Sequence, residues 1–157
     1  AKEDGGMCPE TEALLFAAAR AQHIHQVILP KVAAGEIVLC DRYVDSSIAY
    51  QGDARGLARA WIMEINRVAL TKGMPSATLY LRMTAEEAFR RRLAESEPDR
   101  IEQMGLSFQQ KIEQGYEQLM AEFPHRFVPV DATKKPDEVA EEAFAKLFER
   151  MNREGIL

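Results

Sequence analysis

The sequence predicts an α/β fold in which a parallel sheet is flanked by helices. Three observations carry that expectation. Short apolar runs at 37–40, 77–81 and 127–130 have the length and composition of strands buried in a parallel sheet. The longer segments between them repeat their apolar residues at helical spacing. The first run also stops abruptly at Asp41-Arg42, a charged pair at the kind of strand edge where open α/β sheets bind ligands.

A chain of 157 residues suits one domain, 1–157, with a sizeable core, and 46% hydrophobic with 29% charged residues describes a folded protein. The formal net charge of −5 argues against a general nucleic-acid or membrane-surface binder, because no basic excess offsets a polyanion. Cys8 and Cys40 are the only cysteines, which suggests no disulfide framework and a reducing cytoplasm. No secretory leader, membrane-length apolar span or internal repeat is evident.

In chain order, 1–9 reads as a polar loop. A long helix is expected from Thr11 to about Ala34, closed by Gly35 and kinked or restarted at Pro30. Leu14, Leu15, Ala18, Ala21, Val27 and Ile28 are its apolar candidates. Phe16 and Arg20, four apart, share one face. His23 and His25 point to different faces, which disfavours a metal site. After the strand ending at Arg42, Asp45 or Ser46 caps a short helix through Tyr50, and 52–56 reads as a loop. Leu57 to Leu70 is helical by pattern, with Trp61, Ile65, Val68 and Ala69 inward.

Lys72-Gly73-Met74-Pro75 marks a turn before the second strand. Thr84 caps a helix from Ala85 to about Ala94, whose first turn carries Glu86 and Glu87. Arg90-Arg91-Arg92 then leads into a proline-containing stretch, so 90–103 has cations on both sides of a loop. A phosphate-covering lid needs that arrangement, although a solvated basic face gives the same pattern. A helix from Ser107 to Glu122 places Phe108, Ile112, Tyr116, Leu119 and Met120 on related faces. Phe127–Val130 is a strand with Pro129 near its end, and Pro136 starts a last helix to Asn152.

Asp41-Arg42-Tyr43, followed by Ser46-Ser47-Ile48-Ala49-Tyr50-Gln51-Gly52, resembles the signature of bacterial thymidylate kinases. Leu14-Leu15-Phe16-Ala17-Ala18-Ala19-Arg20 resembles the same family. Alone, Phe16 and Arg20 would read as a core aromatic and a surface cation. The resemblance implies a three-layer fold of the P-loop kinase type and transfer of the ATP γ-phosphoryl group to dTMP, giving dTDP for DNA precursor synthesis. It implies that Arg42 clamps the acceptor phosphate and Asp41 orients magnesium through water. Phe16 and Tyr50 would frame the thymidine, while Arg20, Ser46, Ser47 and Gln51 complete the substrate site. Arg91 and Arg100 would close from the lid. Magnesium and ATP as co-substrate, a cytoplasmic location and a homodimer are implied in the same way, with no nucleic-acid or membrane partner.

The family also needs a phosphate-cradling Gly-x-x-x-x-Gly-Lys-Ser/Thr loop, and no stretch of these 157 residues supplies it. The resemblance begins partway into the family's sequence, so its first strands and that loop are expected to precede Ala1. Two rival expectations therefore stand beside dTMP kinase: a kinase for another nucleoside monophosphate, and a non-catalytic nucleotide-binding fragment.

Overall fold

The computed structural model describes residues 6–95 and 104–155. Two compact units divide the chain: Ala1–Met74 with Gln114–Tyr116, and Pro75–Glu113 with Glu117–Leu157.

The first unit opens with helix α1, Pro9–His23, whose leading proline gives up only an N–H that a helix start leaves unpaired anyway. The helical path continues through a π-helical stretch, Ile24–Ile28, into α2, Leu29–Ala33, and closes at Gly35 in the left-handed region at φ +78°. The widened turn lies immediately before Pro30. There the Leu29 N–H reaches back five residues to the Ile24 carbonyl, so the kink expected at proline takes the form of a π-bulge.

The face that α1 buries is not the one its largest side chains suggest. Glu12, Ala13 and Ala17 are buried, whereas Leu14, Leu15 and Ala18 are exposed. The expected strand at 37–42 also fails to form. Residues 36–40 take no strand pairing, and Ile37 and Leu39 are 63% and 87% exposed. A strand needs a hydrogen-bonded neighbour, and none of the described residues pairs with this run.

Helix α3, Val44–Ser47, passes directly into a second π-helical stretch, Ile48–Ala54, which takes in part of the segment expected to be a loop. The single helix expected over 57–70 is two: α4, Arg59–Ile65, and α5, Arg67–Lys72, broken at the buried Asn66. Ile62 and Ala69 point inward, and Trp61, Ile65 and Val68 are half-buried.

In the second unit, strands β1, Thr78–Arg82, and β2, Phe127–Asp131, pair in parallel, with Thr78 opposite Phe127 and Arg82 opposite Asp131. The crossover runs through α6, Ala85–Glu95, and α7, Leu106–Glu122. Thr84 caps α6 as expected, its Oγ1 accepting the Glu87 N–H at 3.3 Å. Side chains on a strand alternate between faces. Of the β1 side chains only Tyr80 is buried, and Leu79 and Leu81 stay exposed, so β1 is not the fully buried strand the run suggests. Pro129 sits mid-strand opposite Tyr80 and is exposed, a position where a missing N–H costs no ladder bond that Tyr80 requires. Helix α8, Pro136–Arg153, begins at its proline, with the Lys135 N–H donating to the Glu138 carboxylate, and packs on β2.

Gly115 of α7 belongs to the first unit, where a Cβ would stand 2.6 Å from Asp53 Oδ2 and 3.2 Å from Ala49 Cα. Asp53 cannot swing aside freely, because both its oxygens accept from Arg59 at 2.7 Å. Gly115→Ala should therefore lower stability by about 1–2 kcal/mol despite alanine's better helix propensity. Urea unfolding checks this, and a stabilised variant would mean that the two helical segments are not in close contact.

Candidate active site

The site is organised by two guanidinium groups in the first unit. Arg20 projects from α1 into the unit and is half-buried. Its Nη1 donates to Asn66 Oδ1, and its Nη2 donates to Ser47 Oγ at 2.9 Å and to the Tyr43 carbonyl at 3.3 Å. The Tyr43 ring lies beneath it, 5.6 Å from centroid to Cζ. Burial lowers the Arg20 pKa from its usual value, and the neighbouring Tyr43, Cys40 and Asp45 oppose that shift. Arginine stays protonated regardless.

Arg42 is the counterpart and remains exposed. Among the described residues it is the one non-glycine residue with positive φ, at +58°. That conformation costs a side-chain-bearing residue about 1–2 kcal/mol, and such strain concentrates at ligand-binding sites. Its guanidinium lies 5.0 Å from the Tyr50 ring centroid. Asp41 precedes it in the same exposed loop, and no hydrogen bond or ion pair among the described residues takes up its carboxylate.

Tyr50 and Gln51 sit on the π-helical stretch, a local distortion that often marks functional positions. Gln51 is 4% exposed, and its Nε2 donates to Glu12 Oε1 at 3.0 Å. The other Glu12 oxygen accepts from Arg55 Nη2 at 3.1 Å. A buried carboxylate is thus paired and hydrogen-bonded, as its desolvation demands. Ser46 Oγ and Tyr116 Oη share a hydrogen bond of 2.8 Å. Burial pushes the Tyr116 phenol up to about 12, chiefly because its anion would be desolvated, while the Ser46 bond and Arg42 pull the other way.

The thymidylate kinase family model matches residues 2–143. The chain belongs to the thymidylate kinase family. Curated thymidylate kinases agree: that of Halalkalibacterium halodurans is 41% identical over 93% of this chain and 70% of its own length. The enzyme of Bacillus velezensis is 40% identical over 94% and 70%, and that of Bacillus pumilus 43% identical over 96% and 72%. Family membership gives the P-loop kinase fold class, and the parallel β1/β2 pair with its crossover helices is of the α/β kind.

Of the residues singled out from the sequence, Phe16, Arg20, Asp41, Arg42, Ser46, Ser47, Tyr50 and Gln51 all fall in the first unit. Phe16 is 49% exposed on α1. Arg91 lies in the second unit, where Nε donates to Glu87 and Nη1 and Nη2 donate to the Ala132 and Thr133 carbonyls. Arg100, with most of the expected lid after Glu95, lies outside the described residues.

Glu12, Asn66 and Tyr116, which bond to Gln51, Arg20 and Ser46, are not singled out by the sequence. A signal existed for Asn66, which interrupts the inward stripe between Ile62 and Ala69. Glu12 sat unremarked in an acidic first turn, and Tyr116 passed for a core aromatic.

A phenol whose pKa is raised on folding stabilises the native state fully below its unfolded pKa of about 10, and that stability is lost as pH rises through the folded value. With Tyr116 near 12, stability should fall by on the order of 2–3 kcal/mol as pH passes from 10 to beyond 12. Tyr116→Phe should flatten that slope in denaturant titrations at stepped pH. An unchanged slope would mean that Tyr116 ionises as freely in the folded chain as in the unfolded one.

Proposed function

We propose that this chain catalyses transfer of the γ-phosphoryl group of ATP to dTMP. An oxygen of the dTMP phosphate attacks the γ-phosphorus, the bond from that phosphorus to the bridging β-oxygen breaks, and ADP and dTDP leave. Family membership, with relatives named thymidylate kinase, favours dTMP over UMP, CMP or AMP as the acceptor. The observation that carries the site assignment is the Asp41-Arg42 loop, with an exposed guanidinium held in a costly backbone conformation over Tyr50.

In this reading Arg42 meets the acceptor phosphate with its planar fork of donors, which matches phosphate oxygens two at a time. Phosphoryl transfer depends on alignment and charge neutralisation rather than covalent chemistry by the protein. Phe16 and Tyr50 frame the nucleoside, Arg20 and Gln51 address the base edge, and Ser46 and Ser47 hold this wall of the site. Arg91 and Arg100 are the lid cations over 90–103. No helix among the described residues is long and apolar enough to cross a membrane, and a cytoplasmic homodimer is the working assembly.

Magnesium fits the donors present in one way only. Among the described residues no cluster of three His, Cys, Asp or Glu could enclose a metal ion, whereas one exposed carboxylate on Asp41 suits an ion that keeps most of its water and rests on nucleotide phosphates. Bound there, the ion would neutralise charge on the transferring group.

An assay coupled to ADP release tests the proposal. In protein that also carries a phosphate-cradling loop, turnover with dTMP should exceed that with UMP, CMP and AMP by at least about tenfold in kcat/KM, and Arg42→Ala should lower it more than about a hundredfold, roughly 3 kcal/mol. Near-wild-type turnover in that variant would remove Arg42 from the mechanism. Binding of dTMP without any ADP release would favour a nucleotide-binding role over catalysis.

A further inference from the structure

Asn66 is 2% exposed, and both ends of its amide are in use. Nδ2 donates to the Ile62 carbonyl at 2.8 Å, and Oδ1 accepts from Arg20 Nη1. The guanidinium can only donate, so it fixes which end of the amide faces it. The first bond is an ordinary structural one: Ile62 O, in the last turn of α4, also accepts the Asn66 N–H at 3.2 Å, and a carbonyl oxygen has two lone pairs to offer. The second serves no helix end. It spends a buried acceptor on a cation 46 residues away in sequence.

The backbone is arranged to permit this. Asn66 leaves helical geometry at φ −98° and ψ 13°, ending α4 and preceding α5. Side chains competent to bond to nearby backbone favour such breaks. An unbroken helix would be expected of the apolar pattern through 57–70, and the break coincides with the residue that holds Arg20.

The geometry points to Asn66 as a positioning residue that fixes the direction of the Arg20 guanidinium and so sets selectivity for the pyrimidine base. The inference rests on Arg20 addressing the base edge, as proposed above. Ser47 Oγ and the Tyr43 carbonyl both engage Nη2, which leaves Asn66 as the holder of Nη1 among the described residues. Without it the guanidinium could turn about its own stem while remaining charged and partly buried. Affinity for the base would fall, and affinity for the sugar phosphate would not.

Calorimetric titration of the full chain with dTMP and, separately, with 2-deoxyribose 5-phosphate reads this directly. Asn66→Ala should weaken dTMP binding about tenfold or more, as expected for loss of a hydrogen bond to a charged group, and leave the sugar phosphate within about twofold. Asn66→Asp, which keeps an acceptor for Arg20, should restore most of the dTMP affinity. In an Arg20→Ala background the Asn66 substitutions should have no further effect on dTMP. If Asn66→Ala does not fold, Asn66→Leu, near in volume and without polar atoms, is measured on the same two probes. Equal losses for dTMP and the sugar phosphate, or no loss for dTMP, overturn the positioning role while leaving Arg20 at the base edge. An Arg20→Ala variant that binds dTMP normally overturns the base-edge reading itself.

Discussion

A guanidinium drawn away from water has to be met by acceptors, and the first unit is built around meeting one. Arg20 reaches Asn66 at the α4–α5 break, Ser47 on α3 and the Tyr43 carbonyl just before α3. Those partners lie 23 to 46 residues away in sequence, so one side chain ties α1 to each of these segments. Two turns earlier on α1, buried Glu12 accepts from Gln51 and Arg55. The helix is thus held by two polar anchors, and the residues buried between them are alanines, Ala13 and Ala17. Small side chains there suit a close approach, since the charged groups must come within hydrogen-bond distance before their desolvation is offset.

The same arrangement separates two arginines by role. Arg20 is satisfied by the protein, so only part of its donor set is left for a ligand. Arg42, five residues before Ser47, is held out in a left-handed backbone conformation with its charge against the Tyr50 ring. A phosphate would meet donors of Arg42 that no described residue takes up, and the backbone cost at Arg42 is the kind that a binding function sustains. The π-helical stretch from Ile48 to Ala54 serves both groups, presenting Tyr50 to Arg42 and Gln51 to Glu12.

Much of this was legible in the sequence where local chemistry decides. Pro136 at the start of α8, Thr84 capping α6 and Gly35 closing the α1–α2 path follow from backbone rules that need no tertiary partner. The family signature was likewise readable, because Asp41-Arg42 and Tyr50-Gln51 are contiguous in the chain. What pairing or packing decides was not. The run at Ile37–Leu39 has strand composition, yet a strand belongs to a pair, and no described residue supplies the second member. Leu14 and Leu15 are candidates for the buried face of α1 by their apolar character, whereas the structure buries the face carrying Glu12, Ala13 and Ala17. Asn66 lost its significance to periodicity, since a helical pattern absorbs a single polar residue unless its partner is known.

Whether the first unit holds the dTMP site is decided by nuclear magnetic resonance with dTMP added stepwise. The largest shifts should fall on amides near Phe16, Arg20, Arg42, Tyr50 and Gln51, and on the Arg20 and Arg42 side-chain Nε–H signals. Shifts confined to residues of the second unit, with those signals unmoved at saturation, would contradict a dTMP site in the first unit.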